Sequence, residues 1–133
     1  MYELTERLQP FLLIGVGAIF GSWARIYATK YIESRFSFKY IGTFVVNTFA
    51  AFFLGFFVAI QMRSGMDYLN SNSPLFMFFC VGFLGSLSTF STFMTDLMNT
   101  LLDKKITLCT SLAFFSILAG LFSVALGLTL GNA

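Results

Sequence analysis

The chain has 133 residues, of which 57% are hydrophobic, 19% aromatic and 11% charged. A soluble domain carries about 25% charged residues, and the fourteen charges present here cannot clothe a globule of this size in water, which excludes an ordinary soluble domain. The net charge of +2 is too small for the dense basic face of a nucleic-acid binder. With no histidine, and with Cys80 and Cys109 in separate apolar runs, there is no zinc site, no Ser-His or Cys-His dyad and no disulfide framework. That argues against an enzyme, and the length suits one domain.

The first ten residues carry Glu3, Glu6 and Arg7. Their acidic content does not suit a cleaved signal peptide, and they are expected to form a short interfacial helix or else to be disordered. Crossing about 30 Å of hydrocarbon takes about 20 helical residues, and four stretches qualify. The first runs from about Phe11 to Tyr31 with Arg25 inside it. The second, about Tyr40 to Ile60, is uncharged and holds Thr43, Asn47 and Thr48. The third, about Leu75 to Leu102, contains Asp96. The fourth, about Ile106 to Leu130, has no charge. None alternates in the segments of about 10 residues that a membrane barrel requires, so the expected fold is an all-α membrane protein of four transmembrane helices. The connectors are short: Glu33 to Lys39, Gln61 to Pro74 with Gly65, Asn70, Asn72 and Pro74 as breakers, and Asp103-Lys104-Lys105. No internal repeat is visible, and nothing outside the spans could form a second domain.

Polar groups inside a bilayer are candidate functional groups by default. Arg25 lies about 6 Å past the middle of the first span; it either snorkels to the interface near Lys30 or offers positive charge to a water-filled vestibule. Gly17, Gly21 and Arg25 share one stripe, and small residues let a second helix approach closely, so this stripe is expected to face protein. Asn47 needs hydrogen-bond partners in hydrocarbon, either on another helix or along a pore, and Ala51 and Gly55 follow on its stripe. The third span holds Gly82-Phe83-Leu84-Gly85-Ser86-Leu87-Ser88-Thr89-Phe90-Ser91-Thr92-Phe93 near its middle. Glycine eases unusual backbone angles and Ser/Thr bond back to the main chain, so this run reads either as a packing kink or as a broken helix. Breaks of that kind occur where protein or a cavity buries them and are recurrent ion sites. Phe90 and Phe93 share a face that Asp96 continues. Aromatic rings have a positive edge, so ring edges beside hydroxyls suit a small dehydrated anion.

The run Gly85-Ser86-Leu87-Ser88-Thr89-Phe90-Ser91-Thr92-Phe93 closely resembles the signature of the small fluoride channels, Fluc, also called CrcB. Gly21-Ser22-Trp23-Ala24-Arg25, Gly42-Thr43-Phe44-Val45-Val46-Asn47 and Ala125-Leu126-Gly127 are similar to the family's motifs in helices 1, 2 and 4, in the same order. The resemblance implies four-helix subunits, with a break in helix 3, paired as an antiparallel dimer with two pores. It implies that Gly85 and Ser88 give backbone carbonyls to a structural sodium ion at the dimer interface. Phe90 and Phe93 would meet fluoride with their ring edges, Asn47, Ser91 and Thr92 would supply polar donors to the pore, and Arg25 would sit at the vestibule. The implied activity is passive, selective export of fluoride across a prokaryotic plasma membrane.

Four positions depart from the family pattern. Asp96 stands where relatives usually carry Glu, Ala50 where they often carry Gly, and Gly120 and Val124 where they often carry hydroxyls, although Ser116 and Ser123 lie nearby. These losses bear on the polar track along helix 4. Outside the spans the basic residues Arg35, Lys39, Lys104 and Lys105, with Lys30 at the first span's end, oppose Arg7 and Arg63. The positive-inside rule then puts the first and third connectors in the cytoplasm and both termini outside. A homodimer and a heterodimer with a related subunit both remain open. The main rival is a small multidrug-resistance exporter of cations, which needs an acid in helix 1 where this chain has Arg25. The other rival, a purely structural membrane subunit, leaves Arg25, Asn47, Asp96 and the hydroxyl run together without a purpose.

Overall fold

Apolar runs of this length become helices because hydrocarbon offers backbone N–H and C=O groups no partners but each other. The computed structural model describes residues 2–36, 40–63 and 73–133, with side chains from residue 8 onward. Among these residues every regular element is helical. The first helix, α1, is Tyr2–Arg35 and the second, α2, is Ile41–Arg63. The third span is built in pieces. A short turn at Pro74–Phe76 leads into a π-helical stretch, Met77–Leu84, and a final turn, Gly85–Leu87. These together form α3, residues 74–87; α4 is Phe90–Leu102 and α5 is Ile106–Asn132. Four segments are long and apolar enough to cross a membrane: Leu8–Arg35, Ile41–Arg63, Pro74–Leu102 and Ile106–Asn132.

These spans correspond to the four expected stretches; the first is longer by seven residues and the others by one or two. The expected separate interfacial helix is replaced by the opening turns of α1, which runs unbroken through Pro10. Residues 2–9 include Leu, Glu, Arg and Gln, all good helix formers, and no glycine or asparagine stops the helix there. At 1.5 Å per residue the helix is about 50 Å long, more than the hydrocarbon needs, so its polar first turns extend past the apolar layer. The side chains of Glu3, Glu6 and Arg7, the end of the first connector at residues 37–39, and the breakers Gly65, Asn70 and Asn72 lie outside the described residues. The start of the third span follows from Pro74, which opens the helix at its first position, where its missing N–H costs nothing. The turn between α4 and α5 has Lys104 at φ 58°, with the Lys105 amide donating to the Thr100 carbonyl and the Lys104 amide to that of Leu101. This is a Schellman ending, with a lysine in the left-handed position usually given to glycine.

Two helix pairs set the packing: α1 lies along α3, and α2 lies along α5. In both, backbone meets backbone. A Cβ placed on Gly17 would collide with the Phe78 carbonyl, and one on Gly82 would stand 2.6 Å from the Ile14 carbonyl. Across the other pair, a Cβ on Gly127 would strike the Phe52 carbonyl, and one on Gly55 would stand 2.5 Å from that of Val124. The stripe of Gly17 and Gly21 therefore faces protein, as its spacing implies, and the partner of Gly55 is α5. The centre is made of small and medium side chains, Val46, Ala50, Leu84 and Leu87, with Ala24, Ala28, Ile32, Phe53 and Phe83 against them. Large apolar side chains such as Trp23, Tyr27, Phe114, Phe115, Leu121 and Phe122 point outward, the arrangement expected where lipid is the solvent.

The close contact at Gly127 gives a direct test. Gly127→Val drives a side chain into the Phe52 carbonyl, which cannot swing aside as a side chain can. It is expected to cost at least about 1–3 kcal/mol, read as a clear fall in the thermal unfolding midpoint of the detergent-solubilised protein. Gly15→Ala meets nothing within 4 Å and gains up to about 1 kcal/mol of helix propensity, so its midpoint should stay level or rise.

Candidate functional site

The third span is interrupted at Ser88 and Thr89. Ser88 has φ −73° and ψ 147°, and Thr89 has φ −145° and ψ 123°, both extended. The Ser88 amide still donates to the Leu84 carbonyl at 3.1 Å, closing the last turn of α3. The Thr89 amide has no helical partner, and Asn47 supplies one. Thr89 N donates to Asn47 Oδ1 at 2.8 Å, and Asn47 Nδ2 donates to the Thr89 carbonyl at 3.1 Å. One amide side chain on α2 thus pairs with both backbone groups of one residue, as a neighbouring β-strand would. Thr89 then caps α4. Its hydroxyl oxygen accepts from the Thr92 amide at 3.4 Å and lies 3.5 Å from the Thr92 hydroxyl. Threonine is a preferred residue for that cap.

Beside the clamp lies a cavity of about 270 Å³ between three helices. Phe44, Asn47 and Thr48 line it from α2, Phe90 and Phe93 from α4, and Ser116, Ile117 and Gly120 from α5. The Phe90 and Phe93 ring centroids are 6.3 Å apart, with planes tilted by 50°. A smaller void of about 10 Å³ continues along the same seam, where Tyr40, Thr43, Phe44, Phe93, Asp96 and Ser116 meet. Phe44, Phe93 and Ser116 border both spaces. At the far end the polar atoms Thr43 Oγ1 and Asp96 Oδ2 are both buried. A void of this size is about one water molecule's worth. The seam is apolar in its walls and polar at both ends.

The structure thus brings Asn47, Phe90 and Phe93 together and adds Asp96 to their line. Ser91 and Thr92 do not border the cavity: Ser91 is exposed and Thr92 is engaged with Thr89. Arg25 is half-buried on α1, outside both spaces. Gly85 is exposed, with only the Cys80 carbonyl, at 3.8 Å, near the place a Cβ would occupy, and Ser88 is half-buried. Ser116 borders both spaces and Gly120 the larger one, whereas the Val124 backbone packs on Gly55, so the seam on α5 runs through Ser116 and Gly120. The residues that sequence reading passes over are Phe44 and Ile117. Phe44 could have been found, because Phe44, Asn47 and Thr48 stand three and four apart and so share one helix face. The Thr48 hydroxyl itself donates to the Phe44 carbonyl at 2.8 Å.

Fold and site together define a multi-pass integral membrane protein with an interrupted span and an aromatic, polar-ended seam beside the interruption. The chain belongs to the CrcB family: the family described as "CrcB-like protein, Camphor Resistance (CrcB)" matches residues 12–128. It is 42% identical to "Fluoride-specific ion channel FluC 1" of Prochlorococcus marinus over 132 residues, covering 99% of each chain. It is 38% identical to the protein of the same name from Parasynechococcus marenigrum, covering 90% of this chain and 91% of that one. To "Fluoride-specific ion channel FluC" of Thermosipho melanesiensis it is 32% identical, covering 93% and 97%. With its four spans and these bacterial relatives, the chain is a multi-pass protein of a prokaryotic plasma membrane.

The clamp makes a prediction that separates backbone from side chain. Asn47→Leu strands the Thr89 amide and carbonyl, at about 1–3 kcal/mol for each group left unsatisfied. It should lower the unfolding midpoint far more than Thr89→Ala, which keeps the clamp and loses only the cap, worth about 1 kcal/mol. Equal midpoints for the two variants would show that the clamp does not hold the interruption.

Proposed function

We propose that this protein is a fluoride-selective channel that lowers cytoplasmic fluoride by passive export. The observation that carries the reading is the match to proteins named fluoride-specific ion channels, one of them over 99% of the chain. The seam supports it. Phe90 and Phe93 border a narrow space whose aromatic edges are positively polarised. An amide nitrogen carries two hydrogens; Asn47 spends one on Thr89, which leaves the second to donate toward the cavity. In this reading selectivity arises because donors and ring edges replace the water around a small anion of high charge density, and they do so less well for the more diffuse charge of chloride. The hydroxyl that borders the cavity comes from Ser116, since Ser91 and Thr92 turn away from it, and Arg25, outside the cavity, would attract anions at the vestibule.

The working unit in this reading is an antiparallel dimer with a sodium ion between the subunits. The chain fits such an ion chemically. A helix end leaves its last carbonyls without intrahelical partners, and α3 ends at Leu87, which leaves those of Gly85 to Ser88 open. No group of three or more His, Cys, Asp or Glu among the described residues could hold a metal, so oxygen donors from the backbone are the natural set for a hard cation. Gly85 and Ser88 are the residues that would hold it, and the ion would lock the interrupted backbone. Replacing sodium with a large organic cation should then lower the thermal midpoint. Ser88→Ala, which keeps the carbonyl, should respond as wild type does; an unchanged midpoint without sodium counts against the ion.

Liposomes containing only this protein test the main reading. Fluoride efflux, followed with a fluoride electrode, should be fast, and chloride efflux should stay at the background of empty liposomes. Phe93→Ile keeps bulk and loses the aromatic edge, so efflux should fall at least tenfold while the protein still runs as the wild type in size exclusion. Comparable chloride and fluoride rates would refute fluoride selectivity, and wild-type rates in Phe93→Ile would refute the role of the ring.

A further inference from the structure

A second cavity, about 430 Å³, lies away from the seam, between the end of α2 and the start of α3. This is within the range of about 300–1,000 Å³ typical of small-molecule sites. Its walls are Phe57, Leu75, Phe76 and Phe79, and the buried Cys80 closes its inner side. Its other end is polar, formed by Gln61 and Ser73. Gln61 is 9% exposed, and its Nε2 has no hydrogen-bond partner among the described residues. A buried amide left without a partner is costly, so the geometry calls for an acceptor inside the cavity.

The position of that acceptor follows from helix geometry. Gln61 stands two residues before Arg63, the last residue of α2, hence about 3 Å along the axis from the charged end of the span. Ser73 immediately precedes the first turn of α3. Phe57 is about 9 Å deeper than Arg63 by the same rise, and Phe79 and Cys80 are similarly far from Pro74. Leu75 and Phe79, on its walls, are exposed on the outside of the bundle. The cavity therefore opens toward the bilayer, with its donor at the boundary between hydrocarbon and headgroups and its apolar walls reaching inward.

We infer that this cavity binds one ester-linked phospholipid, with an acyl ester carbonyl accepting from Gln61 Nε2 and the acyl chain lying against Phe57, Phe76 and Phe79. In a phospholipid bilayer the acyl ester carbonyl is the acceptor at that depth joined to an apolar chain. The site is separate from Phe90, Phe93 and Asn47, so it stands whether or not the protein conducts fluoride. Its occupant ties the end of α2 to the start of α3 on the outer surface.

The test uses the full chain reconstituted in equal amounts of ester- and ether-linked phospholipid with the same headgroup and chain length. Ether lipids lack the carbonyl and differ in mass, so native mass spectrometry of the extracted protein reads the two directly. One hydrogen bond of ordinary strength gives an ester preference of roughly fivefold. Gln61→Met keeps the size of the side chain and removes the donor, and it should bring the ratio to one. In parallel, a phospholipid with a photoreactive acyl chain should label Phe79 and Cys80 of the wild type more heavily than Phe114 and Phe115, which are simply lipid-facing. Equal retention of the two lipids by wild type, or an unchanged preference in Gln61→Met, overturns the inference. Labelling at Phe79 and Cys80 no heavier than at Phe114 and Phe115 overturns it too, whether the cavity is covered by protein or merely passed by bulk lipid.

Discussion

A bilayer tolerates no loose backbone amide, and the third span contains one at Thr89. The rest of the structure depends on how that group is satisfied. Asn47 meets it with both ends of its side chain, taking the N–H at 2.8 Å and the carbonyl at 3.1 Å. This lets the helix stop at Leu87 and restart at Phe90 with both backbone groups of Thr89 paired. It also fixes where the restart begins, and so which side of α4 carries Phe90 and Phe93. The same amide then borders the cavity those rings line. A single residue thus serves both the fold and the candidate pathway, and a substitution there cannot be read as a change in only one of them.

Around that clamp the four spans fall into two tightly joined pairs. α1 is held to α3 through Gly17 and Gly82, and α2 to α5 through Gly55 and Gly127, with carbonyl groups where side chains would ordinarily be. Hydrocarbon gives helices no hydrophobic reason to associate, so close van der Waals contact must supply the attraction. The seam needs more freedom than this. Its walls come from α2, α4 and α5, and there the neighbours meet through rings and hydroxyls, with Gly120 facing open space. The tight contacts hold the frame, and the loose one leaves room for an occupant.

Much of this was legible in the sequence because polar residues in an apolar run stand out. Asn47, Phe90, Phe93 and Asp96 could each be named from type and spacing, and the hydroxyl-rich run marked the interruption to within a few residues. The partner of Asn47 could not be read, since the bond spans 42 positions and targets main chain, which has no sequence signature. The π-helical stretch was equally hidden. Met77 to Leu84 reads in sequence like any apolar helix, and a π-helical turn leaves no mark in that pattern. The hydroxyls of Ser91 and Thr92 were placed with the rings by adjacency in sequence. In the helix restarted at Phe90 they fall between the two phenylalanines, so they turn away from the cavity. The opening turns of α1 were missed for a different reason: counting apolar residues measures how much chain sits in lipid, not how far the helix runs.

The pairing of α2 with α5 also constrains how the molecule is made. Helices leave the ribosome in chain order and enter the membrane one or two at a time. α1 meets its glycine-bearing partner as soon as the third span is inserted, but α2 must wait until the last helix arrives. Asn47 has Thr89 as a partner already in the third span, before α5 is made. The clamp joins the second and third spans, so both of its partners are synthesised before α5, whereas the contacts of Gly55 and Gly127 need the last helix.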